Sequence, residues 1–277
     1  MNLAVNPFAA RWQALVNEET LPKYLRRVQV VRYADFRARV QTGDVGLVDD
    51  VYAGDVLILK GTLDEKVGRE LCRRAFEWSK TSPPSFHKIL DGSPDFHRVI
   101  DAKASQAYAS QSMRHAYYFY RWNGDPIGIF EAMNERWRTF KYFSGLAPDQ
   151  YERNLPSDLV VDRLILYQYP LGTGGLKLHS DPINNQKLVM GGFLSQRGVD
   201  YRAGGIYFLR RDESKEDMEP YVDPGDFMLV FPTVFHGVDT VDPGTPLDWD
   251  SSGGRWFIGP ASIDSDYVER RQTTVTY

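Results

Sequence analysis

Of 277 residues one is a cysteine, Cys72, and that scarcity excludes an intrachain disulfide and any zinc site built on several thiolates. A reducing compartment is the simplest reading. Basic residues are not in surplus: 33 Lys and Arg stand against 37 Asp and Glu, a net charge of -4, whereas a duplex-reading surface shows a basic excess. No uncharged apolar stretch approaches the roughly 18 residues that a spanning helix needs. The start, Met1 to Arg11, has neither the basic opening nor the apolar centre of a secretory signal. Internal repeats and low-complexity tracts are also missing. These absences predict a cytoplasmic protein with no nucleic-acid or membrane partner. What remains is an ordinary soluble composition, 42% hydrophobic and 13% aromatic, on a chain long enough for a well-buried core.

Chemistry concentrates in Tyr167-Gln-Tyr-Pro-Leu-Gly-Thr-Gly-Gly-Leu-Lys-Leu-His179-Ser-Asp181-Pro182. A strand sends alternate side chains to one face, so the imidazole of His179 and the carboxylate of Asp181 point at one spot. In a chain of this composition such a pair arises by chance about half the time, so it carries little weight alone. A third ligand is offered by Asp223-Pro-Gly-Asp-Phe-Met-Leu-Val-Phe-Pro-Thr-Val-Phe-His236, a turn, an apolar run and an inward-turned histidine. Two His and one carboxylate occupy one face of an octahedron and leave adjacent positions open, the arrangement suited to non-haem Fe(II).

The first 45 residues read as helical, with Phe8, Trp12 and Leu15 on one side of a first helix and Asp35 opening a second. Asp55–Lys60 reads as a buried strand. Thr62 to Glu65 matches a capping box for a helix packing through Val67, Leu71, Ala75 and Trp78. Two readings stand for the turn-rich stretch with His87 and His97 and for the run Tyr117–Tyr120 with Arg121 and Trp122: a substrate-facing surface, or aromatic core. Asp125-Pro126 predicts an N-cap, followed by an apolar stripe of Phe130, Met133, Trp137 and Phe140. From 159 onward short strands are predicted at 160–169, 176–181, 186–194, 205–210, 226–231, 234–241 and 254–259, a density that points to a sandwich or barrel with the helices packed on one sheet. Residues 211–219 read as a charged, exposed connection. The organisation expected is one domain over 1–277: a helical and mixed part (1–158), a β core (159–262) and a tail (263–277).

Taken in order, Tyr169-x-x-Gly172, His179-x-Asp181, Gly204-Gly-Ile-Tyr-Phe208, Pro224-Gly-Asp with His236, and Gly254-Arg-Trp-Phe-Ile258 resemble the Fe(II)/2-oxoglutarate-dependent oxygenases, particularly the prolyl-hydroxylase-like branch, over about residues 160–262. The resemblance implies a double-stranded β-helix, or jelly roll, with iron held by His179, Asp181 and His236. It implies 2-oxoglutarate and O2 as co-substrates. The far carboxylate of 2-oxoglutarate would meet Arg255, whose planar fork matches a carboxylate in two bonds, with Tyr169 adding a hydroxyl. Arg255 lies 19 residues beyond His236, a longer gap than the family's, and Phe257 stands where the family commonly has Ser. Lys187 or Arg163 are the alternatives for that role, and the intervening 239–253 segment reads as an insertion that lids the site. The activity implied is hydroxylation of an unactivated C–H bond, and the acidic pI with the aromatic-rich lead-in favours a small-molecule substrate. A cupin-type metalloenzyme that never uses 2-oxoglutarate, and a jelly-roll binding module whose histidines are core residues, stay open beside it.

Overall fold

Alternation along one strand sets the whole arrangement. In Val160–Tyr169 the residues Leu164 and Leu166 face a large apolar core, while Arg163, Ile165, Tyr167 and Tyr169 line a pocket on the other side. This is the period of two that a pleated strand imposes. The computed structural model describes residues 6–108, 110–183, 185–271 and 275–276. In chain order the helices are α1 (Pro7–Leu15), α2 (Tyr33–Gln41), α3 (Gly46–Tyr52), α4 (Glu65–Ser79), α5 (Ala102–Ser105) and α6 (Ile129–Phe143). The strands are β1 (Val28–Arg32), β2 (Val56–Lys60), β3 (Phe96–Ile100), β4 (Ser112–Tyr120), β5 (Val160–Tyr169), β6 (Gly175–Ser180), β7 (Val189–Phe193), β8 (Gly205–Leu209), β9 (Lys215–Asp217), β10 (Phe227–Val230), β11 (His236–Asp239), β12 (Arg255–Asp264) and β13 (Val275–Thr276).

Strands β5, β12, β7 and β10 pair in that order in one sheet, and β6, β11, β8 and β9 in the other. Apart from the β8–β9 hairpin, successive strands from β5 to β12 thus cross from sheet to sheet, which is the connectivity of a jelly roll. Its first sheet is extended by β2 and β1 beyond β10 and by β4 and β3 beside β5. Strand β4 joins the two sheets, since Ser112 and Met113 pair with β6 while His115 to Tyr120 pair with β5.

The helices cover the outer face of the first sheet. Phe130, Met133, Trp137 and Phe140 of α6 are buried, as the apolar stripe predicts, and Phe8 and Trp12 of α1 join them. Beside this core lies a charged cluster: Asp162 accepts from Lys141, from Arg121 at 2.9 Å and from the Ser262 hydroxyl at 2.9 Å. Lys141 and Asp162 are fully buried, so each charge depends on the other for compensation.

Several local expectations give way. Part of the predicted helical N-terminal stretch is the strand β1, which pairs in parallel with β2; residues 1–5 lie outside the described residues. Helix α4 is capped by Asp64, whose carboxylate accepts from the Lys66 and Val67 amides, while the Thr62 hydroxyl donates to the Leu59 carbonyl. Val67 faces solvent. Asp125 does not stand at the helix start, since α6 begins four residues later after Gly128, though its carboxylate accepts from the Glu131 amide in the first turn at 2.9 Å. The Tyr117–Tyr120 run is strand, with Tyr117 and Phe119 in the main core and Tyr118 and Tyr120 in a second cluster with Phe96. Packing, not a substrate surface, is its role, and His97 stacks on Tyr117 within it. No helix among the described residues is long and apolar enough to cross a membrane.

Candidate metal centre and its pocket

His179 on β6 and His236 on β11 are directly opposed in antiparallel register, with their ring centroids 4.3 Å apart. Opposed residues of neighbouring strands share a face, so the pairing alone brings the two imidazoles together. The apolar strand β10 ends at Val230, and the turn after it, through Pro232, is tied down by the Thr233 hydroxyl on the Pro22 carbonyl and by the Phe235 amide on the Lys23 carbonyl. Asp181, one residue beyond β6, is held by its own amide on the Pro232 carbonyl at 3.0 Å. Its two carboxylate oxygens then face the two rings, Oδ1 at 3.7 Å from His179 Nε2 and Oδ2 at 3.5 Å from His236 Nε2.

Hydrogen bonds at the far side of each ring set the chemistry. His179 Nδ1 donates to the Lys177 carbonyl at 2.8 Å and His236 Nδ1 to the Val234 carbonyl at 2.9 Å. With the proton on Nδ1, the Nε2 lone pairs are turned toward Asp181, the orientation in which metal-bound histidines are held by their outer partners. Burial, reinforced by His236, lowers the His179 pKa to about 4, so the ring is neutral and free to ligate at pH 7. The candidate ligand atoms of His179, Asp181 and His236 all lie within 4.8 Å of one another. One fixed face of two nitrogens and a carboxylate fits a divalent first-row metal with open positions.

Beside the triad is a cavity of about 510 Å³, a size suited to small molecules. Arg255 opens β12 opposite Tyr169 in register, and both line this cavity. The arginine is buried, and its Nε donates to Glu219 Oε1 at 2.8 Å. Glu219 is in turn fixed by the Tyr201 hydroxyl and by the Ile206 amide at 2.9 Å. Gly205 gives it room: with φ of +129°, a Cβ there would stand 2.3 Å from the Glu219 Cγ. Burial opposes the charge of Arg255, but Glu219 and the phenols of Tyr201 and Tyr169 outweigh it, and the pKa is raised. Its Nη2 is buried without a partner. An orphaned guanidinium donor at the end of a pocket is what an incoming carboxylate would satisfy.

Sequence reading brought together His179, Asp181, His236, Arg255 and Tyr169, and all five line one pocket. It missed two residues. Glu219 lies in a segment read as an exposed connection, yet it is buried against Arg255. Arg114 also lines the pocket, with its guanidinium 4.1 Å from the Tyr167 ring centroid and 3.4 Å from the Tyr169 hydroxyl. Neither carried a signal: Glu219 sits among charges of both signs, and Arg114 precedes the aromatic run without a motif. Of the two alternatives to Arg255, Lys187 does not line the pocket, while Arg163 does, at a distance along β5 from Tyr169. The expected lid is also corrected. None of residues 239–253 lines the pocket; the loop is fastened to the opposite face of the sheet, where Gln168 donates to the Ser251 and Gly253 carbonyls and Trp249 stacks on His115.

His115 gives the protein a measurable acid response. Burial first, then the nearby His97, lowers its pKa to about 4. Folded His115 and His179 therefore stay neutral while the unfolded histidines, near 6.5, take up protons. Stability is complete above pH 6.5 and is lost as pH falls toward 4, by roughly 3 kcal/mol per histidine at most. Asp95 works the other way: burial raises its pKa to about 6, so the folded form gains a proton first and recovers part of the loss. Urea midpoints of metal-free protein are expected to drop between pH 6.5 and 4.5, and His115→Gln to remove more than half of that net drop. Equal slopes in the two proteins would show that His115 is not held neutral.

No protein-family model and no curated protein matches this chain. Among solved structures, the fold is similar to a Pseudomonas putida prolyl-4-hydroxylase, at 12% identity and a TM-score of 0.48 over 79% of this chain and 97% of that one. It is similar to a protein of the 2OG-Fe(II) oxygenase family from Caulobacter crescentus, at 13% identity and 0.49 over 89% of each. It is similar as well to a Neurospora crassa protein in complex with alpha-KG and thymine, at 12% identity and 0.49 over 90% and 88%. At such identities the likeness is one of chain path, and what the pocket does has to be read from its own residues.

Proposed function

We propose that the protein is a non-haem Fe(II)/2-oxoglutarate-dependent dioxygenase that hydroxylates an unactivated C–H bond of a small molecule. The observation that carries this reading is the pairing, in one cavity, of the His179–Asp181–His236 face with a buried arginine whose Nη2 lacks a partner. In it His179, Asp181 and His236 hold Fe(II), and Arg255 with Tyr169 holds the distal carboxylate of 2-oxoglutarate. When bound, iron would supply the redox chemistry, with O2 as the oxidant: one oxygen atom would go to 2-oxoglutarate, which leaves as succinate and carbon dioxide, and the other to the substrate C–H bond.

The chain's own residues bind, orient and exclude water. The Lys177 and Val234 carbonyls keep each imidazole's proton away from the metal face. Glu219 holds the Arg255 fork at its Nε edge, leaving Nη2 for the co-substrate. Phe257 and Met190 form part of an apolar wall. The absence of side chains at Gly191 makes that wall possible, because a Cβ there would stand 1.8 Å from the Phe257 ring. A dry wall of this kind protects a reactive centre from solvent. The test is reconstitution: the purified protein with Fe(II), ascorbate and 2-oxoglutarate is expected to form succinate, and Mn(II) with 2-oxoglutarate to raise the melting temperature together more than either alone. Stoichiometric metal binding with no effect of 2-oxoglutarate on either readout would replace this reading with a metalloenzyme of the cupin type.

A further inference from the structure

The cavity holds more positive charge than the proposed reaction uses. Three arginines line it, Arg114, Arg163 and Arg255, and one carboxylate, Asp181, which belongs to the metal face. Arg255 is balanced by Glu219. Neither Arg114 nor Arg163 forms a salt bridge among the described residues, and the Nε of each is buried without a partner. Burial opposes the charge of Arg114, and only the phenols of Tyr167, Tyr169 and Tyr118 hold its pKa up; phenols are uncharged near pH 7, so they supply hydrogen-bond and ring contacts but no counter-ion.

On the oxygenase reading, which this inference rests on, a divalent metal, Asp181 and doubly anionic 2-oxoglutarate together leave one negative charge. Arg114, beside Tyr169, offsets it. Arg163 is then the surplus. It sits six residues from Tyr169 on the same face of β5, about 20 Å away at roughly 3.3 Å per residue, and so at the opposite end of the row from the Arg255 clamp. There it lies against the Tyr120 hydroxyl, with its guanidinium carbon 5.4 Å from the Tyr118 ring centroid, and between them its Nε has no acceptor. Arg163 is half-buried with its Nε shut off from solvent, and a charge so placed without a counter-ion gains from an anion that arrives.

We infer that the substrate is a carboxylic acid, anchored through its carboxylate by Arg163, with an apolar body lying along Ile165 and Ala261 toward the metal. The carbon attacked is therefore remote from the acid group rather than adjacent to it. An acceptor-only anion matches the arginine fork, whereas the corresponding amide brings no charge and places two donors against donors.

The probe is a panel of six- to twelve-carbon aliphatic and phenylalkanoic acids with their primary amides, titrated into protein loaded with Mn(II) and 2-oxoglutarate and followed by calorimetry. Loading is checked first in wild type by separate titrations of Mn(II) and 2-oxoglutarate; failure there sinks the oxygenase reading, and failure of the panel on loaded protein sinks only this one. At least one acid is expected to bind about ten-fold or more tightly than its amide. Arg163→Gln should erase that preference while keeping Mn(II) and 2-oxoglutarate binding, and Arg163→Lys should keep part of it. Amides that bind as well as acids, a panel in which no acid binds, or a preference that survives in Arg163→Gln would each overturn the assignment.

Discussion

His236→Ala is expected to purify folded but without stoichiometric Fe(II), Co(II) or Mn(II), and to lose 2-oxoglutarate-dependent succinate formation by at least about a hundred-fold, since even the outer partners of metal ligands cost 10–100-fold when removed. The expectation follows from how the triad is made. His179 and Asp181 are close in the chain, but each carboxylate oxygen faces a different ring, so removal of His236 leaves Oδ2 with no opposite ligand and the face with two members. Two ligands do not fix a face of an octahedron. The fold should survive because His236 closes no core cluster; Phe208 and Val234 around it belong to the core without it. Metal content by elemental analysis, set beside a far-ultraviolet dichroism spectrum, checks both halves. Stoichiometric metal in a folded His236→Ala protein would mean that the ion sits elsewhere and that the two rings are packing residues.

Much of the jelly roll was legible because its strands are marked at both ends by Gly, Pro, Asn and Asp, and because the pleat has one period. Strand β5 runs over the residues predicted for it, β8 differs by one residue at one end, and β6 and β10 differ by one residue at each end. The triad was legible for the same reason, since a His-x-Asp on alternation and a His after a terminating Pro need only local geometry to point inward. What the local pattern does not hold is partnership across the sheet. Strand β4 reads as an aromatic run, but its burial on both faces comes from two separate apolar clusters, Tyr117 and Phe119 in one and Tyr118 and Tyr120 in the other. Glu219 illustrates the same limit more sharply: six charged residues precede it between 211 and 217, and nothing nearby says that it, and not they, will turn inward beneath Gly205. The 239–253 loop was misplaced because composition shows that a segment is irregular, not which face it is fastened to; that depended on Gln168, on the far side of β5 from the pocket.

Arg255 and Glu219 are both about 2% exposed at the side chain, and the pair separates what the fold needs from what the pocket does. Arg255→Gln leaves the Glu219 carboxylate buried with only the Tyr201 hydroxyl and the Ile206 amide, so unfolding free energy should fall by about 3–5 kcal/mol, the usual cost of breaking a buried pair from one side. Glu219→Gln should cost a similar amount by leaving the guanidinium uncompensated. The two variants part company over 2-oxoglutarate. With Arg255 gone, its protection of Mn(II)-loaded protein against thermal unfolding should vanish; with Glu219 neutral, the arginine's full charge faces the pocket and the protection should be at least as large as in wild type. Arg255→Met with Glu219→Met removes both charges and replaces them with apolar chains, so stability should return to within about 1–2 kcal/mol of wild type while 2-oxoglutarate still fails to protect. Urea unfolding and melting scans with and without 2-oxoglutarate measure both quantities on the same four proteins. Wild-type protection in Arg255→Gln would place the clamp elsewhere, and the pocket's other arginine near Tyr169, Arg114, would then be the group to replace next.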